Sequence, residues 1–145
     1  MEIMIGTGIK EIIFGMYPDE VEIVWGIPDK INQEDDEQRI VYYYDNKMVK
    51  LIFDKEVDSR LYIIEVHHQE IKLFNENIFG RTKEAVAEFL RSNGYPEFEI
   101  EDYETFETFF CESIWTSFIF EFDKLMHVEF SPLFNDNDEI IWPEM

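Results

Sequence analysis

The chain has 145 residues, the length of one ordinary domain and enough to bury a core without help from a disulfide or a metal. Its 12 Lys and Arg stand against 33 Asp and Glu, and a formal net charge of −21 disfavours nucleic acid and an anionic membrane surface as direct ligands. Hydrophobic residues make up 46% of the chain, with 14 Phe, 7 Tyr and 3 Trp among them, so the charge does not imply disorder.

The opening stretch MEIMIGTGIKEIIFG lacks a basic segment followed by an apolar run and a small-residue cleavage site. No run of 18 apolar residues follows anywhere. Cys111 is the single cysteine, set in FFCES with acids and no nearby cation, which suits a small core residue rather than a reactive thiol. Together these features lead to the expectation of a cytoplasmic protein with no membrane contact.

A first helix is predicted from Pro18, with Asp19 and Glu20 beside its positive end, Val21, Val24 and Trp25 as the buried stripe, and a stop at Gly26 and Pro28. Strands are predicted over 38–45, 47–53 and 61–68, with a turn at Asp45-Asn46 and a loop over DKEVDSR. The pattern then starts again. Phe79-Gly80 repeats Phe14-Gly15, and Val86 repeats Val21 at the same offset. Gly94 and Pro96 repeat Gly26 and Pro28. Thr82 is the N-cap candidate of a second helix with Val86, Phe89 and Leu90 inward, ended by Asn93-Gly94. Strands are predicted over 98–102, 105–111, 115–122 and 126–130, with a tight turn at Asp123-Lys124. Alternation puts Ile114, Thr116, Phe118, Phe120 and Phe122 on one face.

The expected fold class is therefore α+β. Two tandem units, 1–74 and 75–145, each place a short helix before an antiparallel meander, with the helices on one face of the sheet and the units forming one continuous domain. The other face is left for water or a partner.

The stretch Phe14-Gly15-Met16, Val21, Gly26 and Pro28 resembles the opening of β-lactamase-inhibitor-protein-like folds and of the related small lipoprotein of the outer-membrane assembly machinery. Tyr17 stands where that group has Thr, and the second copy keeps Gly80 and Thr82 but has Arg81 for Met. The resemblance implies a tandem, sheet-forming protein that binds another protein on its sheet, and it assigns no residue roles. Small acidic proteins of this build also resemble immunity proteins of bacterial toxin systems.

The charge is unevenly spread. Residues 1–74 hold 16 acids and 8 bases, net −8, and residues 75–145 hold 17 acids and 4 bases, net −13. Between Ser92 and Asp123 there is no Lys or Arg. Such a surface either keeps an aromatic-rich protein soluble or steers a basic partner onto it. The partner-binding candidates are Glu99, Glu101, Asp102, Tyr103, Glu104, Glu107 and Trp115, where acids and aromatics interleave, together with Tyr42 and Tyr44 of the consecutive tyrosines.

No catalytic residue is singled out among so many carboxylates, and no cofactor is expected. Asp136-Asn137-Asp138-Glu139 lacks the Gly and the terminal Glu of a calcium loop. His67 and His68 are neighbours on a strand and point apart, and His127 lies on another strand, so no metal site is expected. The functional expectation is a non-catalytic immunity or inhibitor protein that neutralises a basic protein, such as a toxin or nuclease, as monomer or homodimer. The alternative is a structural or regulatory homodimeric domain without a toxin partner.

Overall fold

The computed structural model describes residues 1–34 and 38–144. Strands β1 (Glu2–Met4), β2 (Gly8–Ile9) and β3 (Ile12–Ile13) precede helix α1 (Pro18–Trp25). Strands β4 (Lys30–Glu34), β5 (Arg39–Tyr44), β6 (Val49–Asp54) and β7 (Arg60–Val66) follow it. A short hairpin, β8 (Lys72–Leu73) and β9 (Glu76–Asn77), leads into α2 (Lys83–Ser92). Then come β10 (Glu99–Asp102), β11 (Glu107–Cys111), β12 (Thr116–Glu121) and β13 (Lys124–Phe130), and last the pair β14 (Leu133–Phe134) and β15 (Ile140–Ile141).

The main sheet has eight antiparallel strands in the order β10-β11-β12-β13-β7-β6-β5-β4. Its centre is the β7–β13 pair, where Val66, Glu65 and Ile64 lie opposite Val128, Glu129 and Phe130. Its edge strands are β4 and β10. A second sheet of five very short strands has the order β3-β2-β1-β8-β9, with β1 and β8 parallel.

This overturns the α+β expectation of two helix-plus-meander units with helices layered on one face. The protein is mostly β, with sheets of eight and five strands and two short helices of 8 and 10 residues. Residues 1–13 and 72–77 carry strands of two or three residues, too short for a period-two signal to register. The hairpin turn between β8 and β9 falls at Phe74 and Asn75, both at positive φ, where the boundary between units was expected.

One side of the main sheet is dry. A single rung across it runs Phe109, Phe118, Val128, Val66, Val49 and Tyr44, each at most 4% exposed. The helices and the small sheet join the same core through residues such as Val21, Leu90, Ile9 and Leu73. In α2 the Thr82 hydroxyl accepts from the Ala85 N–H, and Val86, Phe89 and Leu90 are buried as the pattern predicts. In α1 only Val21 is fully inside, while Val24 is exposed. Tyr17 is its N-cap, and the Glu20 carboxylate accepts from the Tyr17 N–H.

Gly8 is required by sterics in the small sheet: its φ is +149°, and a Cβ there would lie 2.0 Å from the Ile12 carbonyl oxygen. Cys111 is buried, its thiol donating to the Glu97 carbonyl, and burial raises its pKa. No helix among the described residues is long and apolar enough to cross a membrane.

Candidate functional site

The other side of the main sheet carries a different rung. In order across all eight strands it reads Lys30, Tyr43, Lys50, Glu65, Glu129, Ser117, Phe110 and Glu99. In the first half, Lys30 and Lys50 lie over the Tyr43 ring at 5.2 and 5.3 Å from its centroid. The second half has Glu99, Phe110 and Ser117 instead. At the seam two carboxylates, Glu65 and Glu129, lie directly opposite each other, an arrangement that costs stability.

A groove of about 640 Å³ runs over the outer side of β10–β13. Apolar Phe110 and Ile119 line it together with Glu99, Glu101, Glu121 and Glu129, and no Lys or Arg is among its described lining residues. Tyr103 stacks on Phe106 at 4.6 Å, both lining the groove, and the Tyr103 hydroxyl donates to Glu101, a bond that raises the phenol pKa. The groove is open to solvent.

The next rung brings two histidines together. Ile119 pairs with His127, and continuing the β7–β13 register sets His127 beside His67. Their rings stack with centroids 4.3 Å apart. Glu65 Oε1 is 2.9 Å from His67 Nε2 and 3.5 Å from His127 Nε2. Burial, with His67 as neighbour, pushes His127 down to about 4, so it is uncharged at neutral pH. Burial pushes Glu65 up, but the hydrogen bond from His67 and the charge of Lys50 outweigh it and hold the carboxyl below its usual range. Glu129 is displaced upward, first by burial and then by the Glu65 charge.

The expected binding residues separate. Glu99, Glu101 and Tyr103 line the groove, while Asp102 and Glu104 are exposed beside it. Glu107 points to the α2 side, where both its oxygens accept from Lys83 Nζ at 2.6 and 2.7 Å. Trp115 is half-buried, packed on Phe110 and Phe134 at the groove's margin. Tyr42 and Tyr44 are inside, 5% and 4% exposed, donating to Glu22 of α1 and to the carbonyl of Gly26, which caps that helix. Desolvation raises both phenols, Tyr44 to about 12. Tyr43 is the tyrosine that faces out. Phe110, Glu121, Glu129 and the Glu65–His67–His127 cluster were not among the expected residues. Alternation within β11–β13 would have put Phe110 on one face with Glu121 and Glu129, but the histidine cluster depends on the long-range pairing of β7 with β13. The Asp136–Glu139 turn is closed internally, since Asn135 Oδ1 accepts from the N–H groups of Asn137 and Glu139.

No protein-family model and no curated protein matches the sequence. Among solved structures, a DUF4309 family protein (YjgB) from Bacillus subtilis superposes with a TM-score of 0.57 at 13% identity, covering 88% of each chain. An extracellular protein containing an SCP domain, from Bacillus anthracis, gives a TM-score of 0.49 at 10% identity over 90% of this chain, which spans 49% of that one. The first likeness is one of fold.

Proposed function

We propose that this is a non-catalytic binding protein that captures a basic protein on the outer face of its main sheet, as an immunity or inhibitor protein does. The observation that carries the reading is the groove over β10–β13, which combines apolar and aromatic walls with four carboxylates and, among the described residues, no lining Lys or Arg. An arginine or lysine of a partner would meet the rings of Phe110 and Tyr103 as well as carboxylates on entering it. The opposite sign at the equivalent place in β4–β6, Lys30 and Lys50, gives the face a direction and so an orientation for docking. The groove's openness favours a macromolecular partner over a small substrate, and the resemblance of residues 14–28 to inhibitor-type proteins agrees with this.

Affinity capture with the products of adjacent genes tests the proposal. The expected result is a complex with a basic protein whose activity falls on binding, with an association rate that drops steeply as salt rises. No complex with any co-encoded protein, or an association rate indifferent to salt, overturns it. A salt-insensitive homodimer through this face would instead establish the structural or regulatory alternative.

A further inference from the structure

We propose that Glu65, His67 and His127 form a binding site for one divalent transition-metal ion of the zinc type, at the seam where the two halves of the main sheet meet. His127 and Glu129 also line the groove over β10–β13, but the ion's ligands are identified by their own geometry and not by the binding of a basic protein.

The geometry carries the argument. One atom from each side chain, two imidazole nitrogens and a carboxylate oxygen, lies within 4.8 Å of the other two. In a tetrahedral zinc site with bonds near 2.0–2.1 Å, neighbouring ligand atoms are about 3.3 Å apart. The two separations at Glu65 Oε1, 2.9 and 3.5 Å, bracket that value. Two of the three separations thus already suit such a site, and the stacked rings would have to turn for both Nε2 atoms to converge on an ion. Nitrogen-rich ligation selects zinc, copper or nickel over magnesium or calcium.

The support is rigid and the entry is open. Glu65 and His127 sit within the two central strands, and the His67 N–H donates to the Met48 carbonyl. The three side chains keep 17–31% exposure, enough for an ion to reach them from the open face. Glu129 stands opposite Glu65 and brings a second carboxylate to the same place, so a cation there relieves a like-charge pair. Lys50, paired in register with Glu65 on its other side, is the local competitor for that carboxylate.

Zinc chloride alone is the probe. Calorimetric titration of the full chain, at about 0.15 M ionic strength and with excess magnesium to occupy diffuse acidic sites, should show one saturable ion per chain. His67→Gln and His127→Gln should each weaken binding by about tenfold or more, and His68→Gln should leave it unchanged. Proton NMR of the unmodified protein gives a readout that needs no variant: zinc should shift the ring signals of His67 and His127 and spare those of His68. Absence of saturable binding overturns the proposal. So does wild-type affinity in a folded variant carrying both His67→Gln and His127→Gln, or a zinc response confined to His68.

Discussion

The strands β4–β7 and β10–β13 follow one backbone plan down to its irregularities. In each half the third strand slips register against the fourth at the same place, between Ile52 and Phe53 in β6 and between Ile119 and Phe120 in β12. In each, a 3-10 turn precedes that strand and ends on a left-handed residue, Met48 at φ +55° and Trp115 at φ +45°. The Gly15 N–H donates to the Leu61 carbonyl, and the Gly80 N–H donates to the Leu125 carbonyl. On the outer side the likeness ends: Lys30, Tyr43 and Lys50 stand where the second half has Glu99, Phe110 and Ser117. The lesson is that the buried side holds the shape constant, because close packing tolerates little change. The solvent side is free to carry opposite charge on the same frame.

The largest test of that contrast removes an equivalent core ring from each half. Phe53→Ala and Phe120→Ala, at 0% and 1% exposure, should each cost about 3–5 kcal/mol in denaturant unfolding. Losses differing by more than the whole of that range would break the structural equivalence. Next in size, Glu99→Lys with Glu101→Lys should slow association with a basic protein by about tenfold at low salt, whereas Lys30→Glu with Lys50→Glu should not slow it. Equal slowing by both pairs would mean that the sign difference between the halves plays no part.

Tyr44 has no counterpart hydroxyl in the second half, where Cys111 ends the equivalent strand. Its folded pKa lies above the unfolded value of about 10, so its contribution is complete below pH 10 and is lost as pH rises toward about 12. Tyr44→Phe should remove that share of the alkaline decline while costing about 0.5–1.5 kcal/mol at neutral pH through the lost bond to Gly26. An unchanged alkaline limb in urea melts across pH would contradict the assignment.

Smaller still, Glu129→Gln should stabilise the protein at neutral pH by less than about 1 kcal/mol, because it ends the like-charge pairing with Glu65. The raised pKa of Glu129 gives the sign: its ionised form opposes folding above its ordinary range, so the gain of the variant should fade in acid. A destabilised variant at neutral pH would show that Glu129 serves the fold as an anion.

Much of the main sheet was legible because its strands are long enough to alternate, as Thr116, Phe118 and Phe120 do. The cap at Thr82 and the stripe Val86, Phe89 and Leu90 carry local chemistry and were equally plain. The small sheet was not, since two-residue strands such as β2 and β3 hold no period and depend on partners distant in the chain. Alternation separated Tyr43 from Tyr42 and Tyr44 correctly, but only the position of α1 decides which side is inside. Phe122 continues the buried pattern of β12 on paper, yet it is 96% exposed because it occupies the turn with Asp123. The histidine cluster rests on a pairing between strands far apart in sequence, which no local pattern encodes.

A sheet that does not close ends in an edge strand on each side, and β10 is one of them. Every residue of β10 is exposed, and three of its four side chains are acidic. Another copy trying to lengthen the sheet there would bring carboxylate against carboxylate, strand to strand, so the rim vetoes its own templated growth. Acids of the proposed docking groove, Glu99 and Glu101, would thus also keep an aromatic-rich protein from polymerising with itself. That protection is electrostatic and reversible: protonation or concentrated salt removes it, while the hydrogen-bonding groups along the rim stay ready.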